Sequence, residues 1–233
     1  MIVDGITLAV ERGEFVTIIG PNGAGKTSLF NLLSGLYHPT TGRVELLGID
    51  ITRQPPYARA RAGLGRSFQA SSVLLGLTVL ENVRLAVQAR RGGSFAFWRQ
   101  AARDTGAVER AREVLGWVGL DDWAALPAGL LAHGDKRKLE LAILLAGEFE
   151  VLLLDEPTAG VAVEDVPGMI DVIRAVHRDQ SKTVVMVEHR MDVIVGLSDR
   201  IAVMHHGRLL ALDTPDRVMA DEEVQAAYLG EPL

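Results

Sequence analysis

Short, densely apolar runs alternate with longer amphipathic stretches along most of this chain. The first run, residues 14–19, ends in Gly20-Pro21-Asn22-Gly23, which predicts a buried strand that enters a glycine-rich turn. A helix is predicted from Lys26 to about Leu36. Further strands are predicted near residues 43–47, 151–154 and 183–187, and further helices near 136–146 and 166–179. This order predicts an α/β fold, with a parallel sheet and helices on both of its faces.

The pattern changes to helical spacing between residues 77 and about 120. The apolar positions in the second half of this stretch are Val108, Ala111, Val114, Leu115 and Val118. We therefore predict one domain over residues 1–233, with a helical subdomain inserted at about 77–135 in the α/β core.

Two local features predict connections between elements of the core. Pro55-Pro56 predicts a surface connection. Near the C-terminus, His205-His206-Gly207 joins two apolar runs at 201–204 and 208–212, which predicts a hairpin with the two histidines in its turn.

Composition and charge limit the classes of function. The 233 residues are 48% hydrophobic and 23% charged, which is typical of a globular chain with a large core. Thirty acidic against 24 basic residues give a net charge of −6, so nucleic acid is not expected as a partner. The chain has no cysteine, which excludes disulfides, thiolate metal sites and cysteine nucleophiles. The opening segment does not resemble a signal peptide and no apolar run reaches the length of a membrane span, which predicts a cytosolic protein.

The glycine-rich turn carries the strongest chemical signal. It fits the pattern G-x-x-x-x-G-K-[ST] between a predicted strand and a predicted helix. Glycines let backbone N–H groups turn towards phosphates, and the helix N-terminus adds positive potential. In this interpretation Lys26 reaches the β and γ phosphates and Thr27 ligates Mg²⁺; the alternative is a turn that only starts a helix. The predicted phosphate loop comprises Gly20, Pro21, Asn22, Gly23, Ala24, Gly25, Lys26, Thr27 and Ser28.

Two carboxylates follow the apolar run at 151–154. A buried parallel strand delivers the residues after it to the carboxyl edge of the sheet, where α/β proteins bind ligands. Asp155 suits the Mg²⁺ shell, and Glu156 suits a general base that polarises a water beside the γ-phosphate. The alternative is an ordinary strand end solvated by two acids.

With these motifs in place, the chain resembles the ATP-binding cassette (ABC) ATPases that drive transport. Leu131-Ala132-His133-Gly134-Asp135 looks like the signature motif of that superfamily at the start of a helix. Gln69 matches the Q-loop glutamine, which senses Mg²⁺ and the attacking water, and His189 matches the switch histidine that contacts the γ-phosphate. The resemblance implies an ABC ATPase fold and the cofactors ATP and Mg²⁺. It also implies catalytic roles for Glu156, His189 and Gln69, with Thr27, Gln69 and Asp155 at the metal.

The same resemblance implies partners. Two such subunits would close head to tail, so that the signature residues Leu131, Ala132, His133, Gly134 and Asp135 bind the nucleotide of the opposing subunit. The partners implied are transmembrane permease subunits, a second ABC ATPase subunit in a homodimer or heterodimer, and indirectly a periplasmic or extracellular solute-binding protein. The implied location is the cytoplasmic face of the membrane.

Within the superfamily, the chain is most similar to the ATPases of branched-chain amino acid importers. Three segments support this, at residues 63–69, 77–83 and 226–231. The function implied is therefore ATP-driven uptake of branched-chain amino acids or a related small polar solute. The alternatives are the ATPase of a urea or other solute importer or of a lipid or lipopolysaccharide exporter, a non-transport ATPase, and a regulatory subunit that hardly hydrolyses ATP.

Three features depart from the family pattern. Ala132 stands where the signature motif has a serine, and Ala162 stands where the D-loop has an aspartate. Family members also carry an adenine-stacking aromatic residue ahead of the segment that opens this chain. This predicts either a start upstream of Met1 or a looser hold on adenine. Farther along, Phe95, Phe97 and Trp98 either face a membrane partner or pack within the helical subdomain.

Overall fold

The computed structural model describes residues 2–67, 73–91, 105–179 and 181–229. Its strands are β1 (Phe15–Ile19), β2 (Glu45–Leu46), β3 (Ile49–Asp50), β4 (Leu64–Arg66), β5 (Val151–Asp155), β6 (Thr183–Val187), β7 (Arg200–His205) and β8 (Arg208–Asp213). Its α-helices are α1 (Lys26–Ser34), α2 (Pro56–Arg61), α3 (Val79–Arg91), α4 (Thr105–Trp117), α5 (His133–Ala146), α6 (Val166–Asp179), α7 (Met191–Leu197), α8 (Pro215–Ala220) and α9 (Glu222–Leu229). Short 3₁₀ turns lie at Asp121–Trp123 and Ala128–Leu130.

The chain divides into two compact units. The first contains Met1–Arg66, Glu150–Pro157 and Arg174–Leu233, and the second contains Ser67–Phe149 and Thr158–Ile173. The prediction of a single domain with a helical subdomain at about 77–135 remains a prediction.

The first unit is built on a six-stranded sheet in the order β4-β5-β6-β1-β7-β8. Every neighbouring pair is parallel except β7 and β8, which are antiparallel. The carboxyl ends of β5, β6 and β1 therefore lie at one edge, in consecutive positions. This arrangement confirms the predicted parallel sheet, and it places the phosphate loop after β1 and the acids at the end of β5 on the same edge of the sheet.

The strands of this sheet are buried because their sequences are almost continuously apolar. All five residues of β1 and all five of β6 are buried. One core cluster combines side chains of α1, β5 and β7 with Val16 and Ile18 of β1 and Val185 and Val187 of β6. Its members with the least exposure are Val16, Ile18, Phe30, Ile51, Leu153, Val187, Ala202 and Met204.

The second unit is helical where it is described. Helix α3 packs against α4 and α5, and α4 also packs against α5. Of the apolar positions predicted here, Ala111, Val114 and Leu115 lie on the buried face of α4, and Val118 is buried just after the helix ends. Val108 is half-buried. Among the described residues, each helix is too short or too polar to span a bilayer. The aromatic segment at Phe95, Phe97 and Trp98 lies outside the described residues.

Several boundaries differ from the predictions for local reasons. Helix α1 ends at Ser34, two residues before the predicted end, because Gly35 adopts φ 82° and donates to the carbonyl of Leu32. The prediction of a surface connection at Pro55-Pro56 is wrong in part, since Pro56 is the first residue of α2, a position that tolerates a missing N–H. The predicted hairpin is confirmed: β7 ends at His205 and β8 begins at Arg208.

Candidate functional site

The phosphate loop approaches other backbone so closely that it requires glycine at two positions. A Cβ atom at Gly20 would lie 2.2 Å from the carbonyl oxygen of Met204 in β7. A Cβ atom at Gly25 would lie 2.6 Å from the carbonyl oxygen of Ile2, and Gly25 adopts φ 101°. The loop is held from the same side by a hydrogen bond from the Gly207 N–H to the Ala24 carbonyl, at 3.0 Å. The glycines are therefore needed to seat the loop as well as to bind a ligand.

Helix α1 begins directly after this loop with its N-terminus free of side-chain caps. Its N-cap is Gly25, no side chain bonds to its first N–H groups, and no acidic residue lies in its first turn. A helix N-terminus without a competing carboxylate is a site for an anion. The side chain of Thr27 at this end is exposed and that of Ser28 is half-buried.

Lys26 adds a buried cation at the same place. It is 7% exposed, and its Nζ donates to the carbonyls of Gly20 and Pro21, the latter at 3.0 Å. Burial lowers the pKa of the Lys26 ammonium, and the nearby charges of Glu156 and Asp155 oppose that shift. Asp155 and Glu156, at the end of β5, are therefore electrostatic neighbours of Lys26.

Glu156 and His189 form a hydrogen-bonded pair next to this cation. The Glu156 Oε1 and His189 Nε2 atoms lie 3.0 Å apart, and both side chains reach solvent. Glu156 has φ 49°, an uncommon conformation for a residue with a side chain, and its N–H donates to Val187 O at 2.9 Å. Glu156 therefore lies in a strained turn at this edge of the sheet, and the imidazole of His189 contacts its carboxylate.

Asp155, one residue earlier, is almost fully buried. Its side chain is 1% exposed and accepts a hydrogen bond from the Nη2 atom of Arg66 at 3.2 Å. Burial raises the pKa of the Asp155 carboxyl, Arg66 counteracts the shift, and the charge of Glu156 adds to it. Carboxylate and hydroxyl oxygens are the ligands that Mg²⁺ prefers, so Asp155 and Thr27 are suitable donors for that ion.

The signature residues lie in the second unit. Leu131 is buried, Ala132 is the N-cap of α5, and His133 is the first residue of that helix. Like α1, α5 starts without a side-chain cap. Gly134 follows in the first turn, where Asp135 pairs with Lys138 at 3.2 Å.

The D-loop segment approaches this helix start within the same unit. A Cβ atom at Gly160 would lie 2.6 Å from the Nε2 atom of His133, and Gly160 adopts φ 72°. Ala162 follows two residues later, and its carbonyl accepts a hydrogen bond from the Asp165 N–H at 2.9 Å. The two segments that depart from the family pattern therefore lie side by side.

The structure thus brings the predicted site residues together in two sets. Lys26, Asp155, Glu156 and His189 meet in the first unit, and the signature residues lie with Gly160 in the second. Gln69 lies outside the described residues, so its predicted role stays a prediction.

Comparison with known proteins identifies the family. The model of the ABC transporter family matches residues 3–159, which is more than half of the chain. This chain belongs to the ABC transporter family. A second model, described as a branched-chain amino acid ATP-binding cassette transporter, matches residues 208–232 of this ABC ATPase.

Its relatives extend the match to almost the whole chain. The high-affinity branched-chain amino acid transport ATP-binding protein BraF of Pseudomonas aeruginosa is 36% identical over 236 aligned residues, covering 98% of this chain and 92% of BraF. The LivG protein of Escherichia coli, which has the same description, shows the same identity and coverage.

Solved structures confirm the ABC ATPase fold. The ADP conformation of MJ1267, an ATP-binding cassette of an ABC transporter, has a TM-score of 0.85 at 29% identity, covering 99% of this chain and 93% of MJ1267. The dimeric cassette MJ0796, in a post-hydrolysis state bound to ADP and phosphate, has a TM-score of 0.78 at 26% identity, covering 91% and 90% of the two chains. This ABC ATPase accordingly binds nucleotide and hydrolyses ATP.

Sequence reasoning missed two residues at the site. Arg66 belongs to no chemical motif of the sequence, yet its side chain contacts Asp155. Glu188 is 3% exposed and accepts a hydrogen bond from the His189 N–H at 2.7 Å. Its position between an apolar strand and the switch histidine was the available signal.

Proposed function

We propose that this ABC ATPase hydrolyses ATP to energise uptake of branched-chain amino acids or a related small polar solute. The importer assignment is supported by the names of BraF and LivG and by the match of residues 208–232 to a branched-chain amino acid family. The chemistry is supported by one observation above all, the contact of Glu156 with His189 at the sheet edge that also holds Lys26.

The phosphates of ATP are proposed to bind at the loop from Gly20 to Ser28. The uncapped backbone N–H groups at the start of α1 would bind phosphate oxygens, and Lys26 would exchange its loop carbonyls for phosphate oxygens as well. Glu156 accepts a proton from the attacking water as general base. His189 contacts the Glu156 carboxylate through Nε2 and is proposed to stabilise a γ-phosphate oxygen.

Thr27 and Asp155 are proposed to hold Mg²⁺, and the family resemblance adds Gln69. Mg²⁺ held there would neutralise charge on the phosphates during hydrolysis. Thr27 supplies a hydroxyl at the start of α1, and Asp155 supplies a carboxylate at the end of β5.

A second ABC ATPase subunit is proposed to complete each site. The start of α5, where Ala132, His133 and Gly134 lie, is uncapped like that of α1. Its first turn also holds Asp135, but Lys138 pairs with that carboxylate, so the N–H groups of α5 suit the γ-phosphate of an opposing subunit. Ala132 offers no hydroxyl, so the N–H groups and the helix dipole carry this contact.

Permease subunits and, indirectly, a solute-binding protein are the other proposed partners, at the cytoplasmic face of the membrane. Three large apolar side chains of the second unit support a protein partner, because Leu74, Leu75 and Leu130 are more than half exposed at 51%, 54% and 70%. The N–H of Gly129, beside Leu130, donates to Leu75 O at 3.0 Å, so these side chains belong to neighbouring segments.

The chemical part of the proposal is tested by steady-state ATP hydrolysis of the Glu156→Gln variant. Loss of a general base typically costs 10² to 10⁴ in rate, so we expect a fall of about 100-fold or more with ATP binding retained. Glu109→Gln, which changes an exposed glutamate on α4, is the matched control and should hydrolyse ATP at the wild-type rate. An unchanged rate for Glu156→Gln would show that Glu156 is not the base.

The identity of the solute is tested in cells that carry either the wild-type chain or the Glu156→Gln variant. Uptake of labelled leucine and of labelled urea is measured in both. We expect leucine uptake to fall with the variant while urea uptake stays constant. The reverse result would favour a urea importer, and no change in either would favour an exporter with the same ATP chemistry.

A further inference from the structure

Arg66 connects the acid at the end of β5 to the helix that leaves the phosphate loop. It is the last residue of β4 and lies in register beside Leu153 of β5. Its Nη1 atom donates to Asn31 Oδ1 and to Ser34 Oγ, both at 2.7 Å. Its Nη2 atom donates to Asp155 Oδ2 at 3.2 Å. The Arg66 side chain is only 8% exposed, so these contacts are made away from solvent.

The residues of α1 that Arg66 contacts share a face with Thr27. Thr27, Asn31 and Ser34 are spaced i, i+4 and i+7, and residues at that spacing line one side of a helix. Thr27 is the proposed Mg²⁺ ligand on α1, and Asp155 is the proposed ligand on β5. Arg66 therefore ties the helix face that carries one ligand to the strand end that carries the other.

The chemistry of the pair favours a positional role over a purely stabilising one. Burying an arginine and an aspartate costs solvation that their attraction only roughly offsets, so an apolar pair would serve stability as well. A planar guanidinium reaches several acceptors in fixed directions, which the ammonium of lysine does not. The Phe30 ring, with its centroid 5.7 Å from the Arg66 Cζ atom, further restricts the guanidinium.

We propose that Arg66 is a positioning residue for the metal site, which fixes the Asp155 carboxylate relative to the Thr27 face of α1. This inference rests on the proposed function, because it requires that Asp155 and Thr27 hold Mg²⁺. Hydrogen-bond partners that orient metal ligands typically change metal affinity by 10-fold to 100-fold when they are replaced.

The test measures metal binding directly. Arg66→Lys keeps the positive charge and removes the guanidinium fork. Mn²⁺, a paramagnetic ion with a similar preference for oxygen ligands, is titrated into the full-length protein with saturating ADP, and bound Mn²⁺ is followed by electron paramagnetic resonance. We expect Arg66→Lys to raise the Kd for Mn²⁺ by about 10-fold or more, while the Kd for ADP in EDTA stays within about twofold.

Arg200→Lys is the matched control. Arg200 pairs with Glu14 in the same unit, so its replacement also weakens an arginine–carboxylate pair but should leave both constants unchanged. Unchanged or tighter Mn²⁺ binding by Arg66→Lys would overturn the proposal. An equal loss of Mn²⁺ and ADP affinity would also overturn the proposal, because it would indicate that the substitution disrupts α1 and the phosphate loop as a whole.

A second variant keeps the inference testable if Arg66→Lys does not fold. Ser34→Ala removes one acceptor of the Arg66 guanidinium and is expected to raise the Kd for Mn²⁺ by a smaller factor. No change in that Kd would overturn the proposal. A wild-type protein that binds neither ADP nor Mn²⁺ would instead contradict the proposed function, so the two failures are distinguishable.

Discussion

Lys26 is a buried cation whose hydrogen-bond partners are carbonyls of its own loop. Because burial already lowers the pKa of its ammonium, its charge is not a source of stability in the ligand-free fold. We predict that Lys26→Met unfolds in urea at the wild-type midpoint or above it. A charge-assisted hydrogen bond is worth about 1.5 to 3 kcal/mol, so ATP affinity should fall by about 10-fold to 100-fold, as measured by calorimetry.

Lys182→Met is the control for this prediction. Lys182 lies just before β6, at the edge of the sheet opposite the phosphate loop, and pairs with Glu150 at 3.7 Å. The Lys182→Met variant should bind ATP with the wild-type affinity. Strong destabilisation of Lys26→Met with unchanged ATP affinity would contradict the assignment.

Arg59 is a fully buried guanidinium that donates to four backbone carbonyls. Nη1 reaches the carbonyls of Leu32 and Leu33 at the end of α1, at 2.7 and 2.6 Å, while Nε and Nη2 reach those of Gln54 and Thr52. A cation at a helix C-terminus complements both the unpaired carbonyls and the helix dipole.

We predict that Arg59→Met lowers the free energy of unfolding by about 3 kcal/mol or more, since it removes the buried guanidinium that donates to four partly buried carbonyls. Urea denaturation measures the change. Arg61→Met, two residues along α2 and exposed, is the control and should lie within about 0.5 kcal/mol of the wild type. A small effect at Arg59 would mean that water replaces the guanidinium.

An ion pair joins the residue just before β1 to the first residue of β7. Glu14 precedes β1 and accepts hydrogen bonds from Arg200, the first residue of β7. Burial acts to raise the pKa of the Glu14 carboxyl, but the hydrogen bonds from Arg200 and the Glu11 N–H outweigh it and hold the pKa below its ordinary value. A lowered pKa stabilises the fold above the ordinary value, and this contribution disappears as the pH falls through the lowered pKa.

We therefore predict that Glu14→Gln is less stable than the wild type by about 1 kcal/mol at pH 7, and that the difference shrinks below about pH 4. Thermal unfolding across pH measures it. Glu45→Gln, from the exposed pair with Arg43, should show no such dependence. A Glu14→Gln deficit that stayed constant down to pH 3 would contradict the argument.

The elements that sequence predicted well are those whose apolar pattern is long or dense. Strand β6 and helix α6 have the predicted bounds, and β5 differs by one residue because Asp155 continues the strand. Strand β4 was missed because it has three residues, too few to show a period, and it becomes a strand only by pairing with β5. For the same reason the contact of Arg66 with Asp155 was not predictable, since it depends on which strands are neighbours.

In the whole molecule, the groups proposed for hydrolysis and the groups proposed to bind the opposing nucleotide belong to different compact units. Lys26, Asp155, Glu156 and His189 belong to the first unit, and Ala132, His133 and Gly134 to the second. If the second set binds the nucleotide of another subunit, ATP stabilises the dimer. Removing the general base, Glu156, should then prevent hydrolysis and keep the ATP-bound dimer intact. We predict that Glu156→Gln protein elutes as a monomer in size-exclusion chromatography without ATP and as a dimer with ATP and Mg²⁺.

The control adds Gly134→Asp to the Glu156→Gln background. A Cβ atom at Gly134 would lie 3.4 Å from Asp165 Oδ2, in van der Waals contact, and the new carboxylate would add negative charge that repels phosphate at the start of α5. This double variant should bind ATP at its own phosphate loop yet remain a monomer, because its nucleotide site is intact and its opposing surface is not. If Glu156→Gln protein itself binds ATP and remains a monomer, the chain does not form the dimer alone, and a different ATPase subunit must supply the second signature helix.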